Sequence, residues 1–327
     1  MTRSVRAGIS PGYLRDGHIA GSAHRRARLV TVSKRNSARI VITGAGGMVG
    51  RVLAAQARGD GREVLTLTSS QCDITDAHAP ARHIAPGDVV INCAAYTRVD
   101  AAETEPQRAH AVNAIGPANL ANACVQTGAR LIHISTDYVF SGTQRIPYEI
   151  DDETGPLSVY ARTKLAGEAA VHATMPDAHV VRTAWVYEGG EGGDFAAVMR
   201  RSAAGDQQVE VVADQIGSPT YVGDLVDALL QVADGGIDAP LLHAANEGEA
   251  SRFDQARAVF EALGADPARV LPVGTDRHPR PAPRPPYSAL SGRRSAEAGL
   301  APLRPWRDAL AAALGAHGSS RRITSTP

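Results

Sequence analysis

Residues 39–59, "RIVITGAGGMVGRVLAAQARG", carry the reading that decides the fold. Arg39 to Thr43 is a short β-branched run, a strand signal, and from Arg51 onward the apolar residues recur at helical spacing. Between the two, Gly44, Gly47 and Gly50 form a G-x-x-G-x-x-G turn. Small residues there let the chain reverse sharply and leave the first N–H groups of the helix open to a pyrophosphate. Any tight strand-to-helix turn wants glycine, so the run gains its meaning from its place after the first strand. In that place it predicts a dinucleotide site.

The same alternation continues downstream. "EVLTLT" reads as a strand, a helical stretch runs through Ile84, "DVVINCAA" is a second apolar strand, a long helix spans about Pro106 to Thr127, and "ARLIHIS" follows. Strands this apolar, spaced by helices, indicate a parallel sheet covered on both faces. The expected fold is therefore α/β, a doubly wound parallel sheet of the Rossmann type. "HVVRTAWVY" and "VEVVA" read as further strands, and Tyr221 to Ala233 and Ser251 to Leu263 as amphipathic helices. The proline-rich stretch 277–288 suits neither a helix nor a central strand and is expected to cross the surface or line a cleft. We expect a nucleotide-binding domain over 39–185 and a smaller α/β substrate domain over 186–315, partly interleaved with it. The basic stretch 1–38, with Asp16 as its single acid, and residues 316–327 are expected to be disordered extensions.

Bulk properties exclude more than they assign. Formal net charge is zero, so no global field draws the chain to nucleic acid or an anionic membrane. No apolar run approaches the roughly 18 residues of a membrane span. Cys72, Cys93 and Cys124 are odd in number and lack metal-type spacing, which favours buried thiols in a reducing compartment, the cytoplasm by default. The second strand ends in Thr68, Ser69 and Ser70, where an acid would bind a ribose 2′-hydroxyl. Its absence leans toward NADPH, with NADH as the alternative. Asp73 and Ile74 are expected beside the adenine, a cap or turn role remaining open for Asp73.

Two lysines, Lys34 and Lys164, stand among 34 basic residues. Lys164 follows Tyr160 by four positions in "VYARTKLAGE", so both side chains leave one face of a helix. An ammonium beside a phenol stabilises the phenolate and tunes it as a general acid. Lysine offers a compact point charge where arginine is a wide planar fork. Thr136 ends the strand in "HISTDYVF", at the carboxyl edge where such sheets bind ligands, and its hydroxyl can donate to a carbonyl oxygen.

The motifs "TGAGGMVG", "DVVINCAAYTRVDAAE", "AVNAIG", "STDYVFSG", "PLSVYARTKLAGE", "VVRTAWVY" and "DQIGSPTYVGDL", in this order and spacing, resemble the dTDP-4-dehydrorhamnose reductase family of the extended short-chain dehydrogenase/reductases. The match runs from about Arg39 to Leu314. The resemblance implies NADPH-dependent reduction of the C4 ketone of a dTDP-linked 6-deoxy-4-hexulose. Tyr160 would then be the proton donor, Lys164 would lower its pKa and hold the nicotinamide ribose, and Thr136 would complete the triad. It further implies cofactor contacts at Gly47, Met48, Val49, Asp73, Ile74, Ala95, Tyr96 and Thr97. Sugar-nucleotide contacts would fall at Thr136, Asp137, Tyr138 and Trp185, and Arg284 would lie near a phosphate or pair with an acid. Asn113 in "AVNAIG" matches an asparagine common in extended members, with a purely structural role equally open. Tyr96 stands where some members have His and Ser141 where many have Asp, and Val52 stands where some members carry a glutamate that bridges a dimer through magnesium. No metal is therefore expected, and the assembly is expected to be a monomer or weak homodimer. An extended-family epimerase or dehydratase is the first rival, opposed by Tyr138 where dehydratases carry Glu. A non-catalytic NADP-binding regulatory subunit is the second, opposed by the intact triad.

Overall fold

The computed structural model describes residues 38–318. The extension expected at 1–38 and the tail at 316–327 fall outside these residues, apart from Ala38 and the end of the last helix, Trp306–Gly318. β1 (Ile40–Thr43), β2 (Val64–Leu67), β3 (Val89–Asn92), β4 (Arg130–Thr136), β5 (His179–Thr183) and β6 (Leu241–His243) form one six-stranded sheet in the order β6-β5-β4-β3-β1-β2. Every neighbouring pair is parallel. β1, β3 and the middle of β4 are buried on both faces, which is why they read as unbroken apolar runs rather than as alternating ones.

Helices cover both faces. α1 (Met48–Gly59) and α4 (Val222–Asp234) pack with Ile40, Ile42, Ile91 and Ile132 on one side. On the other, α2 (Gly116–Thr127) and α3 (Val159–Thr174) pack with Val41, Val90, Leu131 and Val180. Strand order reverses between β1 and β3, because β2 lies to one side of β1 and all later strands to the other. That reversal opens a crevice at the carboxyl ends of β1 and β3. Gly44 shows how tight it is: φ is +67°, and a Cβ there would lie 2.5 Å from the Ala94 nitrogen.

The long helix expected over Pro106–Thr127 is continuous but contains a π-helical turn, Ala111–Ile115, between Pro106–His110 and α2. The helical stretch expected through Ile84 is mostly turns, with a single 3-10 turn at Pro80–Arg82. Asp73 and Asp76 explain this, since each carboxylate accepts a backbone N–H two residues on, from Thr75 and His78, and competes with helix formation. "HVVRTAWVY" is interrupted after Thr183, and only Val186–Tyr187 resumes as strand, paired with Thr220–Tyr221.

Past residue 185 a second core gathers Tyr187, Met199, Val211, Phe260, Trp306 and Leu310. α5 (Arg252–Ala262) belongs to it and starts at a capping box between Ser251 and Asp254. The chain nevertheless returns to the first sheet through α4 and β6. Cys72, Cys93 and Cys124 are free thiols. No described helix is long and apolar enough to cross a membrane.

Candidate active site

α1 begins at Gly47, an N-cap with extended backbone, no side-chain cap and no acid in the first turn. Its leading N–H groups therefore lack a side-chain partner and face the crevice. Gly50 permits this entry, because a Cβ there would lie 2.5 Å from the Gly44 carbonyl oxygen. A cleft of ≈ 470 Å³ runs from Gly47, Met48, Val49 and Gly50 past Ala95 and Thr97 to Thr136, Tyr160 and Lys164. Residues far apart in the chain thus line one cavity. These open N–H groups suit an anionic pyrophosphate, so the site fits a dinucleotide.

Thr136 ends β4. Its hydroxyl donates to Asp137 Oδ1 at 3.0 Å and accepts from the Tyr138 N–H at 3.2 Å. α3 starts at Ser158, whose side chain caps the Ala161 N–H, and this places Tyr160 in the first turn, over the end of β4. Burial pushes the Tyr160 phenol above its ordinary value, while a hydrogen bond with Thr136 pulls it down. The Tyr138 ring meets it edge-on, centroids 6.1 Å apart. Lys164, 2% exposed, turns its Nζ toward the sheet and donates to the Ile134 carbonyl at 2.7 Å. Burial lowers its pKa to about 8. The side chain that lowers the phenol is Thr136.

Four expected cofactor residues do not line the cleft. Gly44 acts through the close approach to Ala94 described above. Asp73 is exposed and closes a turn on Thr75, the alternative its sequence context had left open. Ile74 is buried in the core beneath α2, where a Cβ on Gly116 would meet it at 2.5 Å. Tyr96 packs its ring with Ala102 and Ala109. Its main chain is held by Asn113, which accepts from the Tyr96 N–H at 2.8 Å and donates to the Tyr96 carbonyl and to Thr163 Oγ1. With both ends of its amide engaged, Asn113 ties the loop after β3 to α3, a structural role.

On the substrate side, Asp137 is 2% exposed and burial raises its pKa to about 6. Ser288, from the proline-rich segment, donates to Asp137 Oδ2 at 2.6 Å. Trp185 alone among the described non-glycine residues has positive φ, +47°. Gly217 makes room for its ring, since a Cβ there would approach it to 2.5 Å. Its indole N–H is buried without a partner, at the cleft wall. Arg284 pairs with Asp100 through both terminal guanidinium nitrogens and lines a neighbouring cavity of ≈ 390 Å³ with Arg280 and His278.

Sequence reasoning missed Arg252. It opens α5, and its guanidinium stacks 3.6 Å from the Trp185 ring centre and 4.9 Å from that of Phe195. It lines both cavities, and Tyr138 is the other residue they share. Burial pulls its pKa down while Tyr138 and Asp137 hold it up. Nothing local marks it: the capping box announces a helix start but not that the first side chain reaches a cleft built by another part of the chain.

Comparison with known proteins shows which family the chain resembles along its length. The family model described as RmlD substrate binding domain matches residues 38–318. A dTDP-4-dehydrorhamnose reductase of Mycolicibacterium smegmatis is 67% identical over 310 residues, covering 94% of each chain. One from Mycobacterium tuberculosis is 62% identical over 298 residues, 89% of this chain and 98% of its own. The crystal structure of a Bacillus anthracis dTDP-4-dehydrorhamnose reductase in complex with NADP superposes with a TM-score of 0.78 at 34% identity, covering 84% of this chain and 97% of that one. The chain belongs to the family of the RmlD substrate binding domain.

Proposed function

We propose that this protein reduces the C4 ketone of dTDP-4-dehydro-β-L-rhamnose to the alcohol of dTDP-L-rhamnose with NADPH, the last step of dTDP-rhamnose biosynthesis. The observation that carries the reading is the meeting of Thr136, Tyr160 and Lys164 in one cleft with the open head of α1. Relatives above 60% identity bear the corresponding reductase name.

NADPH supplies the hydride when bound. Gly47, Met48 and Val49 would hold its pyrophosphate through the first N–H groups of α1, with Ala95 and Thr97 along the cleft wall. Tyr160 holds the ketone oxygen, joined by Thr136 once its hydroxyl turns from Asp137 to the substrate, and as negative charge grows on that oxygen the phenol gives up its proton. Tyr160 stays protonated beforehand because burial keeps it so. Lys164 holds the positive charge that the developing tyrosinate needs. Arg252, flanked by aromatic rings, and Arg284 across the adjoining cavity receive the diphosphate of the substrate, and the Trp185 N–H is available to the sugar. The same proposal places the enzyme in the cytoplasm as a monomer or weak homodimer.

The test follows loss of NADPH absorbance on dTDP-4-dehydrorhamnose made in place from dTDP-glucose by a dehydratase and an epimerase. Oxidation should require the epimerase. Turnover of the dehydratase product alone would change the substrate, and tight NADPH binding without oxidation of either would overturn the reductase reading.

A further inference from the structure

One row of polar side chains runs through the sheet beneath the cleft. Thr43, Asn92 and His133 are register partners on β1, β3 and β4. All three are 1% exposed or less. Thr43 Oγ1 donates to Asn92 Oδ1 at 2.8 Å, and the Ala94 backbone N–H donates to the same oxygen at 3.0 Å. Those two donors fix the amide, so Asn92 presents its NH₂ to His133 Nδ1, 3.0 Å away. An amide NH₂ only donates, so Nδ1 must accept. Burial and the charge of Lys164 keep His133 neutral, and its one proton is therefore on Nε2. Nε2 lies 3.4 Å from Lys164 Nζ.

This contact has a sign. Facing an ammonium, the Nε2–H sets donor against donor. Facing a neutral amine, it donates to the nitrogen lone pair. Two neighbours oppose this preference, the Ile134 carbonyl that accepts from Nζ at 2.7 Å and the charge of Glu168, but burial outweighs them and the net shift of Lys164 is downward. Glu168, one turn along α3, is committed to Arg182 on β5 through three contacts of 2.7 to 3.3 Å. The Cys93 thiol at the end of β3 is pushed up to about 12 by burial and stays neutral. Tyr160, one turn back, is a neutral phenol, and His172 on α3 acts on His133 in the same direction as Lys164. Among the described residues no carboxylate pairs with Lys164.

We propose that His133, locked by Asn92 as the Nε2–H tautomer, is a positioning residue for the reaction: it favours the neutral amine of Lys164 and so makes the lysine proton easy to surrender. This rests on the reductase reading, in which each turnover moves one proton from Tyr160 to the alkoxide. The tyrosinate left behind takes a proton from Lys164, the resulting amine accepts the His133 N–H, and water returns the proton to the lysine. No oxidant or reductant beyond the hydride transfer is involved.

With only two lysines in the chain, Lys34 and Lys164, a 13Cε-lysine label gives two signals, and Lys34→Arg assigns them. The full chain is titrated by NMR, without and with NADPH. His133→Phe keeps a buried ring but removes the N–H. An apolar neighbour alone would lower the Lys164 midpoint, whereas loss of the opposing donor raises it. The expected result is a rise of about one pH unit, a tenfold change in the ionisation constant, with the high-pH limb of kcat moving by the same amount. An unchanged or lowered midpoint overturns the proposal.

Should His133→Phe fail to fold, the near-isosteric Asn92→Asp keeps the acceptor for Thr43 and Ala94 and draws the ring proton to Nδ1. It must also raise the midpoint, and His133→Gln in that background must remove most of the rise; a rise that persists is the aspartate charge alone and overturns the assignment. Because the lysine titration needs no sugar nucleotide, absence of turnover would refute the reductase reading without touching this result.

Discussion

Tyr160 carries a phenol that burial keeps protonated and that only Thr136 draws the other way. On the proposed function such a residue serves as the proton source rather than as a binding group. Tyr160→Phe should cut kcat by about a hundredfold or more while the Kd for NADPH holds, as checked by steady-state kinetics and fluorescence titration. Asp137 makes the complementary case. Its pKa is raised from 3.8 to about 6, chiefly by burial, so the protein favours the protonated acid. The stability this contributes is present below pH 4 and is lost as pH rises through about 6. Holding the carboxylate ionised at pH 7 costs on the order of 3 kcal/mol. Asp137→Asn should therefore raise Tm at pH 7 and leave it little changed at pH 4. An equal gain at both pH values would show that ionisation is not the cause.

At the scale of elements, the site depends on how closely α3 approaches the π-helical turn Ala111–Ile115. A Cβ on Gly167 would lie 2.1 Å from the Asn113 carbonyl oxygen, a backbone atom with nowhere to retreat. Gly167→Ala should destabilise the fold by about 1–3 kcal/mol in urea unfolding. Because Tyr160 and Lys164 ride on the same helix, kcat should fall as well; a variant of wild-type stability would mean that the two helices separate without cost. The helix itself was legible: Tyr160 and Lys164 four apart place two groups on one face whatever surrounds them. The π turn was not, since nothing in "AVNAIG" separates it from the α-helix on either side.

At the scale of the whole molecule, the cleft is completed by the segment beyond residue 185, through Arg252. Its guanidinium sits between rings, with no carboxylate ion pair among the described residues, an arrangement that fold stability alone does not call for. Arg252→Met should raise the KM for the sugar nucleotide tenfold or more, lower kcat far less, and leave Tm no lower than wild type. A fall in Tm with unchanged KM would make Arg252 a structural residue. Both cavities have a lining residue held by an equally distant pairing, Arg284 in the second and Asp137 in the first. Arg284 and Asp100 are 184 residues apart, and Ser288 and Asp137 are 151 apart.

The sequence by itself determined the doubly wound sheet and the glycine turn, and singled out Thr136, Tyr160 and Lys164, which the fold brings into one cleft. Each depends on a local rule: alternating strands and helices, small residues at a turn, a spacing of four on a helix, a strand end at the ligand-binding edge. Tertiary structure alone decided that Asp73 closes a turn and Ile74 fills the core, that Arg284 meets Asp100, and that Arg252 reaches the cleft. It also decided the polar row Thr43, Asn92, His133. Those residues lie at the same level of three adjacent strands only because of register, which is set by the packing of both sheet faces rather than by any spacing along the chain.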